Sequence, residues 1–397
     1  MKKILLSIAL LSIISCKENT RPSLINKIDN TLKLAAEQYK ILGKQIKVGE
    51  YPQTYIKSEN KLITSDSGWW CSGFYPGSLL YLYEELKDPE LIKLAKLSLD
   101  DLKKEQFNTK THDLGFMMYN SFGNLIRIED KPEYNKILIN SAKSLSTRYI
   151  ESAKVIRSWD SHPFNGAKDD EVAVIIDNMM NLELLFWASE KTGNKEFYDI
   201  AINHANTTLK NHFRKDNSSY HELIYKEANG DVRAKVTAQG AADESAWARG
   251  QAWGLYGFTV MYRITKNMNY LNQAQKIARF ILDHPNLPQD KIPYWDFDAP
   301  NIPNEERDSS SAAIIASALI ELSEYSSKKL NNIYLNNASI ILENLIEKKY
   351  LAKKGESGGF ILKHGVGSKP ANSEVDVPLS YGDYYFIEAM IRYKKRI

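Results

Sequence analysis

A chain of 397 residues can hold two average domains or one large one, and its 43% hydrophobic and 25% charged content is ordinary for a globular protein. Fifty-two Lys and Arg against 49 Asp and Glu leave a net charge of +3, so composition gives no basis for a nucleic-acid groove. Two cysteines cannot build a disulfide framework; 23 Tyr and seven Trp are the notable feature, suiting packed cores and sugar rings alike.

The first element is an address rather than a fold. Met1-Lys2-Lys3 precedes the apolar run ILLSIALLSII, which is too short to span a bilayer, so residues 1–15 are expected to be a secretory signal. The stretch IISC resembles the bacterial lipoprotein box, which makes Cys16 the expected lipidated residue and residues 16–26 a polar tether. Residues 27–397 are then expected to be one soluble domain, held by lipid at the periplasmic or outer surface. Cys71 is left as a lone thiol, expected to be packed rather than reactive.

Helical spacing dominates the rest of the chain, as in LIKLAKLSLDDLKKE and YNKILINSAKSLSTRYI. One hairpin is expected in SSYHELIYKEANGDVRAK, turning at Asn229-Gly230. An acid opens an apolar helix rich in small residues at Asp113, Asp177, Asp243 and Asp308, at spacings of 64, 66 and 65 residues. Looser members begin near residue 72 and at Asp383, and amphipathic segments such as EFYDIAINHANTTLKNHF lie between. The class is mainly α, and six apolar helices inside six amphipathic ones predict an (α/α)6 barrel whose inner helices start on a common rim. Asp is a preferred N-cap, so any one of these acids can be purely structural.

Their company separates them. Asp113 follows His112, and Asp177 heads the most apolar stretch, VIIDNMMNLELLFWASE, where burial raises a carboxyl toward the range useful for a general acid. In AQGAADESAWARGQAWGLYGF, Arg249 and Trp253 are four apart and share a helix face, with Gln239 in the loop before them. That trio suits a carboxylated sugar; a buried ion pair is the alternative for Arg249. Trp69-Trp70, Trp159 and His221 fall in loops or at element ends, where binding residues gather. The seven His lack metal-site spacing and no Cys cluster is present, so a metal site is not expected; without a phosphate loop, dinucleotide fingerprint or nucleophile elbow, hydride transfer, nucleotide hydrolysis and serine-esterase chemistry lose weight.

The stretches WCSGFYPG, HDLGFMMYNSFG, IIDNMMNLELLFWAS, SSYHELIY, TAQGAADESAWARGQAWGLYGF, RDSSSAAIIASALIEL and EVDVPLSYGDYYFIEAMIRY resemble the unsaturated glucuronyl hydrolases of glycoside hydrolase family 88, in family order over roughly residues 30–395. The resemblance implies an (α/α)6 hydrolase that needs no cofactor. Its substrates would be lyase-generated oligosaccharides with a 4,5-unsaturated uronic acid at the non-reducing end, from ulvan- or glycosaminoglycan-type polymers. It further implies Asp177 as general acid/base, protonating C4 and directing water to C5, and Asp113 as the second carboxylate that orients the sugar. Trp70, His112, Trp159, His221, Gln239, Arg249 and Trp253 match sugar-pocket positions. In KHGVGSKPANSE, Lys363, Ser368 and Lys369 are where a neighbouring, sulfated sugar would be met, unless this is a solvated basic loop. The alternatives are the related unsaturated rhamnogalacturonyl hydrolases, a catalytically silent glycan-binding lipoprotein, and a sugar epimerase, which would lean on paired His.

Overall fold

Whether a helix is apolar on one stripe or all round decides which layer it joins. In this computed structural model, which describes residues 23–160 and 167–397, both kinds alternate along the chain. The signal read in residues 1–15 and the lipid site at Cys16 lie outside the described residues. Ser23 caps α1 (Leu24–Gly43), so the folded body takes in residues 24–26, which the sequence pattern assigns to the tether. Next come α2 (Phe74–Leu86), α3 (Pro89–Leu102), a π-helical stretch Gly115–Gly123 running into α4 (Asn124–Ile128), and α5 (Pro132–Ser146). The chain continues through α6 (Leu182–Thr192), α7 (Lys195–Asn211), α8 (Ala248–Thr265), α9 (Met268–Asp283), α10 (Ser309–Glu324), α11 (Lys328–Leu345) and α12 (Ser380–Arg396).

Helix α10 is buried at every position from Ser309 to Ser323, and α8 from Ala248 to Met261, as inner staves must be. Helix α9 buries only Tyr270, Leu271, Gln273, Ala274, Ile277, Ala278 and Ile281, largely one stripe. The inner ring runs from α2 to the π/α4 stave, to α6 with its leading turn, to α8, α10 and α12, and back to α2, while α1 packs over both α2 and α12 at the seam. The expected (α/α)6 barrel is what forms.

Three departures from the expected elements matter for the site. The helix expected to open at Asp177 starts later: a buried strand, Glu171–Ile175, leads into a 3-10 turn, Ile176–Asn181, that carries Asp177, and α6 begins only at Leu182. The strand pairs with Glu222–Lys226, which pairs with Val232–Val236, so the expected hairpin becomes a three-stranded sheet. The segment read as a loop, KHGVGSKPANSE, lies largely in a further hairpin, Gly365–Ser368 with Ser373–Val377.

The recurring acids also part company. Asp308 is a cap: its Oδ1 accepts from the Ser310 amide (3.0 Å) and hydroxyl (2.6 Å). Asp383 lies in the first turn of α12, buried, and accepts from the amides of Ile361 (2.9 Å) and Leu362 (2.8 Å). Asp243 does not open a helix. It is exposed in the loop before α8, where it accepts from the Thr237 amide (2.9 Å).

Candidate active site

Where inner staves begin, a cavity of about 490 Å³ opens on the barrel rim. Of the residues singled out in the sequence, Trp70, His112, Asp113, Trp159, Asp177, Gln239, Arg249 and Ser368 line it. Trp69 lines it too, more exposed than Trp70, which is held edge-on by Phe74 and Phe116 and lies 4.8 Å from the Tyr381 ring.

Two expected pocket residues sit behind the wall instead. Trp253 is wholly buried against Phe116 (5.1 Å) and Tyr385 (5.3 Å), with its indole toward Asp177. Helical spacing put it on the right face but could not give its depth. His221 is buried with its ring edge on Trp247 (4.7 Å), and its Nδ1 accepts from the Ala238 amide (3.0 Å). It props the segment that carries Gln239 from the end of an element, as expected, one residue before the buried strand Glu222–Lys226.

Arg249 has the structural duty that was its alternative reading, and it keeps a place in the cavity wall. Its guanidinium lies over Trp247 (4.5 Å) and Tyr381 (5.2 Å), donates to the carbonyls of Val366 and Gly367, and stands 3.7 Å from Asp308. The hairpin is thus fastened to α8. Lys363 and Lys369 do not reach the cavity: Lys363 donates to the Lys348 carbonyl (2.8 Å), and Lys369 is paired with Glu306. Residues that sequence reading missed are Lys110, Asp160, Glu374 and Tyr381, all in the wall. Nothing in their local pattern marked them; Asp160 stands beside the noted Trp159, and Tyr381 is in the closing family stretch.

The two candidate acids come from different staves, and polar ties set their separation. The Asn181 side chain accepts from the Phe116 amide (3.0 Å), and Gly115 lies so close that a Cβ there would stand 2.5 Å from the Asn181 Cα. The π-helical stretch begins two residues after Asp113, and such stretches are frequent at functional sites. On the other flank, buried Arg148 donates to the carbonyls of Thr109 (2.7 Å), Arg157 (2.9 Å) and Ser158 (3.2 Å), and pairs with Asp160 at 2.9 Å. The 156–158 segment is bonded in turn to the Asp177 strand: Ser158 Oγ accepts from the Ile175 amide (3.0 Å), and Asn178 donates to the Ile156 carbonyl (2.6 Å).

Burial pushes both carboxyls up to about 7, and the charge of Asp113 adds to the rise at Asp177. Against burial, Asp113 has the Thr111 hydroxyl (3.0 Å) and the charge of Arg148; Asp177 has the charge of Arg249 and the indole of Trp253. The His112 imidazole, 3.4 Å from Asp113, is neutral because burial and Arg148 drive its pKa well down. Two carboxyls that repel lose their protons in two steps. Asp113 is hydrogen-bonded by Thr111 and feels the charge of Arg148, whereas the Asp177 Oδ2 is buried with no hydrogen-bond partner among the described residues.

These features agree with what the chain resembles. The family profile described as Glycosyl Hydrolase Family 88 matches residues 44–395. The chain belongs to this family. An unsaturated glucuronyl hydrolase of Formosa agariphila is 44% identical over 356 residues, covering 89% of this chain and 87% of that protein. The crystal structure of an unsaturated glucuronyl hydrolase specific for heparin superimposes with a TM-score of 0.89 at 43% identity, covering 93% of this chain and 97% of that one. A mutant of the Streptococcus agalactiae unsaturated glucuronyl hydrolase, complexed with dGlcA-GalNAc6S, matches with a TM-score of 0.79 at 28% identity over 98% of both chains.

Raised carboxyl pKa values make stability depend on pH in a fixed direction. Asp177 titrates near 3.8 when unfolded and near 7 when folded, so the fold gains from proton binding below pH 3.8 and loses that gain as pH rises to 7. Asp177→Asn removes this slope. Its stability relative to the native protein should climb by about 2–4 kcal/mol from about pH 4 to about pH 8 in urea unfolding. A constant offset between the two curves would contradict the burial argument.

Proposed function

We propose that this family 88 hydrolase removes the 4,5-unsaturated uronic acid from the non-reducing end of lyase-generated oligosaccharides of the glycosaminoglycan type, by hydrating the double bond. The single observation that carries the residue assignment is the pair Asp113 and Asp177: two buried carboxyls of raised pKa, coupled to each other, in one aromatic-walled cavity. A group titrating near neutrality can both give and retake a proton at working pH.

The chemistry follows from the enol ether. Protonated Asp177 delivers its proton to C4, and positive charge spreads over C5 and the ring oxygen. Ionised Asp113, on the same cavity, orients the sugar and offsets that charge. Water adds at C5 and returns a proton to the Asp177 carboxylate, which closes the cycle. The C5 hemiketal then opens to a ketone, and the aglycone leaves from C1 as an alcohol. No bond from carboxylate to carbon is needed, and the pair does not act as nucleophile and acid across C1. Trp70 and Trp159 offer ring faces to the sugar, Gln239 a hydroxyl partner, and Arg249 positive charge for the uronate. His112, neutral beside Asp113, fixes that carboxyl.

Placement at the membrane belongs to the same reading. The basic start, the apolar run and Cys16 support export and lipid anchoring, with the barrel meeting its oligosaccharides in the periplasm or at the outer surface.

With a panel of lyase-generated disaccharides, the native protein should bleach the ultraviolet absorbance of the conjugated double bond. Asp177→Asn should lower kcat by about 10³-fold with little change in substrate affinity. Unchanged turnover in the variant would remove Asp177 from this role. In fractionated cells the native protein should sediment with membranes and Cys16→Ser should not; the same distribution for both would dismiss the anchor.

A further inference from the structure

The hydration chemistry makes no use of the barrel end opposite the cavity. Arg249 and Tyr381, near the starts of α8 and α12, line the cavity, so these helices finish at the far end. The last turns of α8, α10 and α12 meet there: Glu321 pairs with Arg263 (3.0 Å) and Arg392 (2.8 Å), and the Tyr262 and Tyr325 rings lie 5.2 Å apart. Helix α1 runs antiparallel to α12, since Tyr39 donates to Asp383 (3.4 Å) while Asp29 pairs with Lys394 (2.8 Å). Ser23, the cap of α1, therefore stands at the far end beside the last turn of α12.

Charge divides this end in two. Segments 23–29, 263–269, 323–329 and 392–397 form one contiguous arc and hold nine Lys and Arg against two acids. The remaining turns, 83–91, 127–133 and 189–196, hold five against nine. The helix dipole accounts for the acidic half, because α3, α5 and α7 each carry an acid in the first turn, Glu90, Glu133 and Glu196. It does not account for the basic half. Helices α1, α9 and α11 have no acid there, and α11 opens on Lys328-Lys329, where positive charge opposes the dipole. Lys328, Lys329 and Lys395 are exposed and have no ion-pair partner among the described residues. Lys266 is exposed too, its ammonium over the rings of Tyr262 (5.6 Å) and Tyr325 (5.2 Å), and Met268 nearby is 53% exposed.

We infer that this arc is the face by which the protein lies on an anionic bilayer, its lysines against lipid phosphates and its tyrosines and Met268 at headgroup depth. Lysine and tyrosine are the side chains that membrane interfaces favour. The inference rests on the lipid attachment proposed at Cys16. From there to Ser23 the chain can reach at most about 25 Å, so the end that bears Ser23 stays near the surface. Screening confines the attraction to the Debye length of about 8–10 Å, so the lysines add to the anchor only in contact with headgroups. Contact through the arc turns the cavity, one helix length of about 25 Å away, toward the water from which oligosaccharides arrive.

The test uses the full-length exported protein and a variant combining Lys266→Gln, Lys328→Gln, Lys329→Gln and Lys395→Gln. None of the four lines the cavity, so turnover and thermal unfolding should match the parent and report an intact fold. Both proteins are reconstituted on vesicles of phosphatidylcholine alone, or with about a third phosphatidylglycerol. At low salt, amide hydrogen exchange in the parent at residues 263–269 and 323–329 should slow about fivefold or more on the anionic vesicles relative to the neutral ones. Exchange around the cavity should not change, and high salt should abolish the difference. The combined variant should show no difference between the vesicles. If mass spectrometry finds no acyl chain at Cys16 and exchange still slows as stated, the anchor fails and the docking face stands. Equal exchange on both vesicles in the parent, or protection at the cavity rim instead, overturns the inference. Protection of the arc by heparin fragments with none on anionic vesicles overturns it in favour of a soluble polyanion.

Discussion

One buried guanidinium joins the segments on which the chemistry depends. Arg148 spans the loop that leads to His112 and Asp113, the stretch that leads to Trp159, and, through Ser158 and Asn178, the strand and turn that carry Asp177. Three carbonyls and a carboxylate surround a charge that could not otherwise stay buried. Removing the guanidinium would leave three carbonyls without their donor, at about 1–3 kcal/mol for each one left buried and unsatisfied. The same charge also bears on the pKa of Asp113 and His112, so placement and electrostatics come from one side chain.

The barrel makes that arrangement possible. Staves apolar on all sides can only pack inside, stripes only outside, and closing the ring brings six inner helix starts to one rim. Burial at that rim is what lifts Asp113 and Asp177 toward neutrality, and the chain satisfies its other rim acids rather than leaving them free. Asp308 commits its oxygens to Ser310, Ser311 and the Val366 amide, and Asp383 to Ile361, Leu362 and Tyr39. Burial also raises Asp383 to about 7, so a raised pKa alone does not mark a working acid. What sets Asp177 apart is an open cavity in front of it and an oxygen without a partner among the described residues.

Much of this was legible in the sequence, for a physical reason. Helix layer follows from hydrophobic periodicity, and periodicity is local, so the six-fold repeat and both candidate acids could be read directly. The strand at 171–175 could not, because after Glu171 its short apolar run has no period to tell strand from buried helix. Depth was equally hidden: Trp253 and His221 lie on the right elements but one layer behind the cavity. Asp243 kept the spacing of the series without its role, since the loop before α8 runs on past it.

Proton delivery to C4 is the claim on which the rest stands. Turnover in deuterium oxide, followed by NMR of the released uronate, tests it directly. Hydration with Asp177 as donor predicts one deuterium at C4, in a single orientation, and loss of the alkene signal as the aglycone appears. An uronate released with its double bond intact and no deuterium at C4 would mean cleavage at C1 by direct displacement, and would contradict the assignment of Asp177.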